Sequence, residues 1–228
     1  MKKSAIVCLL IPSLHLLLNL CCVAAQTSHT ANGLLGGSVT FIESISRQDN
    51  PVIGWSFNAV AAIAQWKDGT AEYFGSYKGR CTMFMNGTLR LDSLTYADSG
   101  IYGMTVQRPP AFIPITTSIY ELSVLPPLSA PIFSSNSTNN NKHVSGTYMS
   151  LHCNGGNQPI TRYTFYRDGK DICSEPHVTC KVSNLYFQPI TESDSGIYTC
   201  VIQNPASSNT SNALQLTVSV KSRTRNKL

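Results

Sequence analysis

Short runs in which apolar and polar residues alternate recur along the chain, separated by turn residues. In the first half they are Val39–Ile42, Ile53–Phe57, Leu89–Leu91, Ile101–Val106 and Tyr120–Val124, with a turn at Lys67-Asp68-Gly69. The second half repeats the style at Met149–Cys153, Tyr163–Tyr166, Leu185–Phe187, Ile197–Ile202 and Leu214–Val220, with Arg167-Asp168-Gly169 as its turn. A period of two sends successive side chains to opposite faces, so each run predicts a strand with one buried face. No amphipathic stretch of helical period and useful length interrupts them. Short strands spaced by Asp-Gly and Asn-Gly turns predict an all-β protein made of sandwiches.

The pattern is also an internal repeat. Asp98-Ser99-Gly100-Ile101-Tyr102 returns 96 residues later as Asp194-Ser195-Gly196-Ile197-Tyr198, and Leu89, Leu91 and Leu94 map at that offset onto Leu185, Phe187 and Ile190. Upstream, Trp55 follows Glu43 by twelve residues, and Phe165 follows Cys153 by twelve. Two copies of one architecture are predicted, and 228 residues suffice for two domains of about 100 each.

Composition narrows the function classes. Charged residues are 13% and apolar residues 42%, which excludes the low-hydrophobicity, high-charge signature of a disordered chain. The net charge of +5 sits at the two ends, on Lys2, Lys3, Lys221, Arg223, Arg225 and Lys227; residues 26–220 hold 11 Lys+Arg against 12 Asp+Glu. No basic face is left for nucleic acid.

Lys2 and Lys3, the apolar stretch Ala5–Leu18 and the small residues Val23-Ala24-Ala25 read as a secretory signal over 1–25, with the mature chain starting at Gln26. The alternative is a signal-anchor helix, but Pro12, His15 and Asn19 break the run, and no uninterrupted apolar span of about 20 residues exists. Five of the eight cysteines remain after cleavage: Cys81, Cys153, Cys173, Cys180 and Cys200. In an oxidising compartment they are disulfide candidates first. A zinc site joining them to His152 or His177 lacks any C-x2-C spacing.

Asp194, Gly196, Tyr198 and Cys200 carry the D-x-G-x-Y-x-C pattern, and on these residues the chain resembles the immunoglobulin superfamily over residues 30–220. The resemblance implies two tandem immunoglobulin-like β-sandwiches: a variable-type domain over 26–125, a constant-type domain over 126–220 and a basic tail over 221–228. It implies tyrosine corners at Tyr102 and Tyr198, a Cys153–Cys200 bridge between sheets, Phe165 at the usual Trp position and, by remainder, a Cys173–Cys180 bridge. In the first domain Glu43 and Met104 stand at the two cystine positions, so that domain is expected to lack the bridge; the strand shifts parity or ends at Glu43. The length between Trp55 and Arg80 leaves room for the two extra strands of the variable type, and Arg80 with Asp98 resembles the salt bridge that closes its end. Domain order and cysteine placement resemble the carcinoembryonic-antigen-related cell adhesion molecules, with the signalling lymphocytic activation family as the alternative. The linker Leu125-Pro126-Pro127-Leu128-Ser129-Ala130-Pro131 predicts a stiff join.

The resemblance places partner contacts on the sheet of strands C, C′, F and G of the first domain. With Trp55, Tyr102 and Met104 inward, alternation sends Ser56, Asn58, Thr105 and Gln107 outward, joined by Arg108 and Phe112 of the proline-stiffened loop 108–114. The competing reading folds Phe112 or Ile113 back onto the sandwich edge. Asn86, Asn136 and Asn209 head sequons for N-glycans. Cys81 is expected to be a buried free thiol, the alternatives being an interchain bridge or a small-thiol cap. The tail 221–228 reads as a solvated stub or as a weak patch for anionic glycans or lipid.

The function expected is extracellular recognition or cell adhesion, secreted or at the cell surface in an anchored form, with an immunoglobulin-like surface receptor or a second copy as partner. The alternative is a soluble immune regulator or decoy. No cofactor, metal, nucleic acid or small-molecule substrate is implied, and membrane contact runs only through a partner or an anchored sibling form. His29, His143, His152 and His177 sit in no nucleophile or metal motif, so no catalytic residue is expected.

Overall fold

The computed structural model describes residues 26–46, 48–110, 115–136 and 142–220. The predicted signal over 1–25, the basic tail and Phe112 and Ile113 lie outside the described residues.

The first sandwich contains β1 (Thr27–Leu34), β2 (Ser38–Phe41), β3 (Val52–Phe57), β4 (Ala61–Lys67), β5 (Thr70–Tyr73), β6 (Cys81–Met83), β7 (Leu89–Asp92), β8 (Gly100–Gln107) and β9 (Ile115–Leu125). They form a six-stranded sheet, β1-β9-β8-β3-β4-β5, facing a three-stranded sheet, β2-β7-β6. β4 and β5 are the strands between Trp55 and Arg80. β1 runs parallel to β9 over its whole length, while the remaining pairs are antiparallel.

The second sandwich contains β10 (Ile132–Ser135), β11 (Lys142–Val144), β12 (Met149–Asn154), β13 (Arg162–Arg167), β14 (Lys170–Asp171), β15 (Val178–Lys181), β16 (Asn184–Phe187), β17 (Gly196–Gln203), β18 (Ser208–Thr210) and β19 (Leu214–Ser219). Its sheets are β10-β12-β16-β15 and β11-β19-β17-β13-β14, with β18 paired to β17.

Alternation along each strand feeds two apolar clusters that share no member. Phe41, Trp55, Leu89, Leu91, Tyr102 and Met104 centre the first; Leu151, Phe165, Leu185, Phe187, Tyr198 and Leu216 centre the second. Fully burying side chains of this size contributes roughly 1.5–3 kcal/mol each. The repeat is visible atom by atom: the Tyr102 hydroxyl donates to the Asp98 carbonyl at 2.7 Å, and the Tyr198 hydroxyl donates to the Asp194 carbonyl at 2.6 Å. Both aspartates also accept from a threonine three residues earlier, Thr95 and Thr191, in matching capping boxes.

Met104 pairs with Trp55 as Cys200 pairs with Phe165. Cys153 and Cys200 are bonded across the second sandwich, and Cys173 with Cys180. In the first, β2 ends at Phe41, so Glu43 leaves the strand. Half-buried there, its carboxylate accepts from the Tyr120 hydroxyl at 3.1 Å. The Tyr120 ring fills in beside it, 4.9 Å from Phe41 and 5.8 Å from Trp55.

The linker is held by the second sandwich. Leu128 enters its core, the Leu128 N–H donates to the Ser207 hydroxyl, and Asn204 and Asn209 donate to the Pro126 and Leu128 carbonyls.

Candidate recognition face

The outward side of the six-stranded sheet is built by the residues between the buried ones. On β3, Ile53 and Trp55 point in and Gly54 and Ser56 point out; on β8, Tyr102, Met104 and Val106 point in and Gly103, Thr105 and Gln107 point out. The centre is flat and small: Gly54 pairs with Thr105 and Ser56 with Gly103. The Thr105 hydroxyl donates to the Gly54 carbonyl at 3.4 Å, and the Ser56 hydroxyl donates to the Gly103 carbonyl at the same distance. Both bonds are at the long end of hydrogen-bond geometry.

A shallow depression opens beside that centre, lined by Gly54, Ser56, Val60, Ala62, Phe74 and Thr105. Val60 is 90% exposed. The charged residues of this sheet, Lys67, Glu72 and Glu121, are exposed and stand on the flanking strands. An uncharged centre with a charged margin is the anatomy of a protein interface.

Three of the predicted contact residues, Ser56, Thr105 and Gln107, fall on this face. Two do not. Asn58 lies past the end of β3 at φ 48°, and its side-chain oxygen accepts from the Ile101 N–H at 2.9 Å. Asp168 does the same to the Ile197 N–H at 2.9 Å, so Asn58 is a structural turn residue of the repeat. Arg108 spends its guanidinium on the loop before β3, donating to the carbonyls of Gln48 at 2.7 Å and Ser46 at 3.2 Å. Alternation could have found Gly54 and Gly103. It could not have found Ala62, because a bulge between Trp55 and Ser56 shifts the register against β4.

Charge is concentrated elsewhere. Arg80 and Asp98 pair at 2.9 and 3.0 Å. In the second sandwich Asp194 meets Arg167 at 3.1 Å and His177 at 2.8 Å, and Arg167 also meets Glu175 at 2.6 Å. Glu175, His177 and Asp194 approach one another closely enough to face a metal ion, but the Arg167 guanidinium already occupies both carboxylates. The cysteine–histidine zinc alternative fails, since Cys153, Cys173, Cys180 and Cys200 are all in disulfides. Cys81 is a buried free thiol in β6, its pKa pushed up to about 12 by burial.

Two stacked-sheet sandwiches in tandem, one bridged and one not, define a protein of the immunoglobulin fold. The immunoglobulin-domain family matches residues 131–204. Over 181 residues the chain is 26% identical to the hepatic and glial cell adhesion molecule of Bos taurus and 25% identical to that of Homo sapiens, covering 77% of this chain. The chain spans 43% of the length of these relatives. Among solved structures, murine CEACAM1b superposes with a TM-score of 0.62 at 18% identity, covering 84% of this chain and 99% of that one. A chain of the mouse coronavirus receptor-binding domain complexed with its murine receptor gives 0.69 at 18% identity, covering 82% and 96%. The chain is thus similar to cell adhesion molecules of the immunoglobulin superfamily, and the solved structures share its fold.

Proposed function

We propose that this chain is an extracellular recognition protein that docks another immunoglobulin-like domain, a second copy included, through the outward face of β1-β9-β8-β3-β4-β5. The observation that carries the reading is the flat, uncharged centre formed by Gly54, Ser56, Gly103 and Thr105 beside the depression under Val60 and Phe74. Two disulfides support an oxidising compartment, and the relatives are named for cell adhesion. The second sandwich acts as a spacer with the linker fastened to it.

Docking two flat faces with few large side chains gives weak, reversible association, and many copies on one surface then supply avidity. Gly54 and Gly103 let a partner's backbone come close. Thr105 and Ser56 supply hydroxyls that discriminate partners by unpaired polar groups.

Sedimentation equilibrium on the glycosylated, non-reduced chain, wild type against Thr105→Arg, tests the reading. Concentration-dependent dimerisation abolished by Thr105→Arg, with the melting temperature unchanged, is the outcome expected for self-recognition. A strict monomer at high concentration removes self-recognition and requires capture of a heterologous immunoglobulin-like partner by wild type but not by Thr105→Arg. If Thr105→Arg leaves every association intact, the face is wrong.

A further inference from the structure

The two apolar clusters share no member, so no common core fixes one sandwich against the other. The chain between them is anchored on both sides. At the end of β9 the Leu125 carbonyl accepts the Leu35 N–H at 2.9 Å. A peptide unit is planar, so this bond ties the whole Leu125–Pro126 plane, with the Pro126 nitrogen and Cα, to the first sandwich. The Pro126 carbonyl accepts from Asn204 Nδ2 of the second sandwich at 3.3 Å. Asn204 is only 8% exposed, and its Oδ1 accepts the Ala206 N–H at 2.9 Å, the Ser207 N–H at 2.7 Å and the Ser207 hydroxyl at 3.1 Å. Beyond it, the Leu128 N–H donates to the Ser207 hydroxyl at 3.1 Å, the Leu128 carbonyl accepts from Asn209 at 2.9 Å, and the Ser129 N–H donates to Gln158 Oε1 at 2.5 Å.

Two anchored peptide planes therefore stand one residue apart, and that residue is Pro126. Only its φ and ψ separate them. The pyrrolidine ring locks φ at about −65°. The ring of the next residue, Pro127, clashes with a helical Pro126 and confines ψ to roughly +120° to +160°. No run of freely rotating residues is left between the anchors in which a hinge could form.

We propose that Pro126 and Pro127 make the joint between the sandwiches hingeless, so that the two move as one body and the first is presented at a set angle to the second. The joint is independent of which face of the first sandwich docks. Its consequence for recognition is pre-organisation: copies carried on one surface hold their first sandwiches alike, and each loses less orientational freedom on docking than it would on a flexible linker.

Amide nitrogen relaxation on the isotope-labelled, disulfide-bonded chain tests it, with each sandwich fitted separately for its rotational correlation time. Wild type is expected to give one value for both, and two distinct, shorter values overturn the proposal. The double variant Pro126→Gly, Pro127→Gly frees both torsions. It is expected to give separate, shorter correlation times while the amide peaks of both cores keep their wild-type positions. A double variant that still tumbles as one body shows that the prolines do not hold the joint, which also overturns the proposal. Pro127 is exposed, so Pro127→Ala releases ψ of Pro126 with no loss of packing; if the double variant does not fold, this single variant takes its place with the same two outcomes.

Discussion

Arg80 holds Asp98 with both terminal guanidinium nitrogens, at 2.9 and 3.0 Å, where the Asp98 side chain is only 5% exposed. The guanidinium is also tied down by the carbonyls of Ser76 and Ser93 and lies 5.6 Å from the Tyr77 ring centre. Removing one partner strands the other's charge inside the sandwich end, so Arg80→Ala is expected to lower stability by about 3 kcal/mol. Urea denaturation of wild type and variant measures it. A loss near zero would mean that the pair behaves as a solvated surface bridge.

Acid should weaken both sandwiches through the same two carboxyls. Burial pushes Asp98 and Asp194 up. The hydrogen bonds from Arg80 and Thr95 to Asp98, and from His177 and Thr191 to Asp194, outweigh it and hold both below the usual carboxylate range. A depressed folded-state pKa contributes stability that is present above the unfolded value, about 4, and is lost as pH falls through the folded one. The denaturation midpoint is expected to hold near neutrality and to fall below about pH 5. The double variant Asp98→Asn, Asp194→Asn should be weaker at neutral pH and show a flatter acid limb.

Cys81 should be silent in the native protein. With its thiol pushed up to about 12 by burial, almost no thiolate exists near neutral pH. Iodoacetamide is expected to label it only after unfolding, and non-reducing gels should show monomer. Rapid labelling of the native chain would contradict the burial.

The two disulfides should differ in worth. Cys153–Cys200 closes a separation of 47 residues and Cys173–Cys180 one of 7. On loop entropy, replacing the first pair by alanine is expected to cost about 4 kcal/mol and the second about 2 to 3 kcal/mol. Thermal unfolding of the two double-alanine variants gives the order, and a reversed order would show that loop closure is not the governing contribution.

Local periodicity and the repeat determined most of the architecture. Leu89, Leu91 and Leu94 and their counterparts Leu185, Phe187 and Ile190 are all buried, because alternation before a turn suffices to choose a strand's inner face. The corner motif determined the tyrosine bonds of both sandwiches, since donor and acceptor lie four residues apart in one segment. On the outward face of the six-stranded sheet, alternation reached Ser56, Thr105 and Gln107.

What joined distant segments was decided only by the tertiary structure. Asp98 and Asp194 hold the same station, yet Asp98 takes its cation from Arg80 at the edge of β6 and Asp194 from Arg167 at the end of β13, where the first sandwich has Phe57. The Arg80 partner is expected from the family resemblance, but the Arg167 partner follows from no pattern along the chain. Asn58 and Arg108 fit the alternation or loop chemistry of contact residues, but backbone groups 43 and 60 residues away claim them. Glu43, which leaves β2 and accepts from the Tyr120 hydroxyl, shows the reason most plainly. A polar group leaving water must find a partner, and which partner lies within hydrogen-bond reach is set by how the sheets close, which no local pattern encodes.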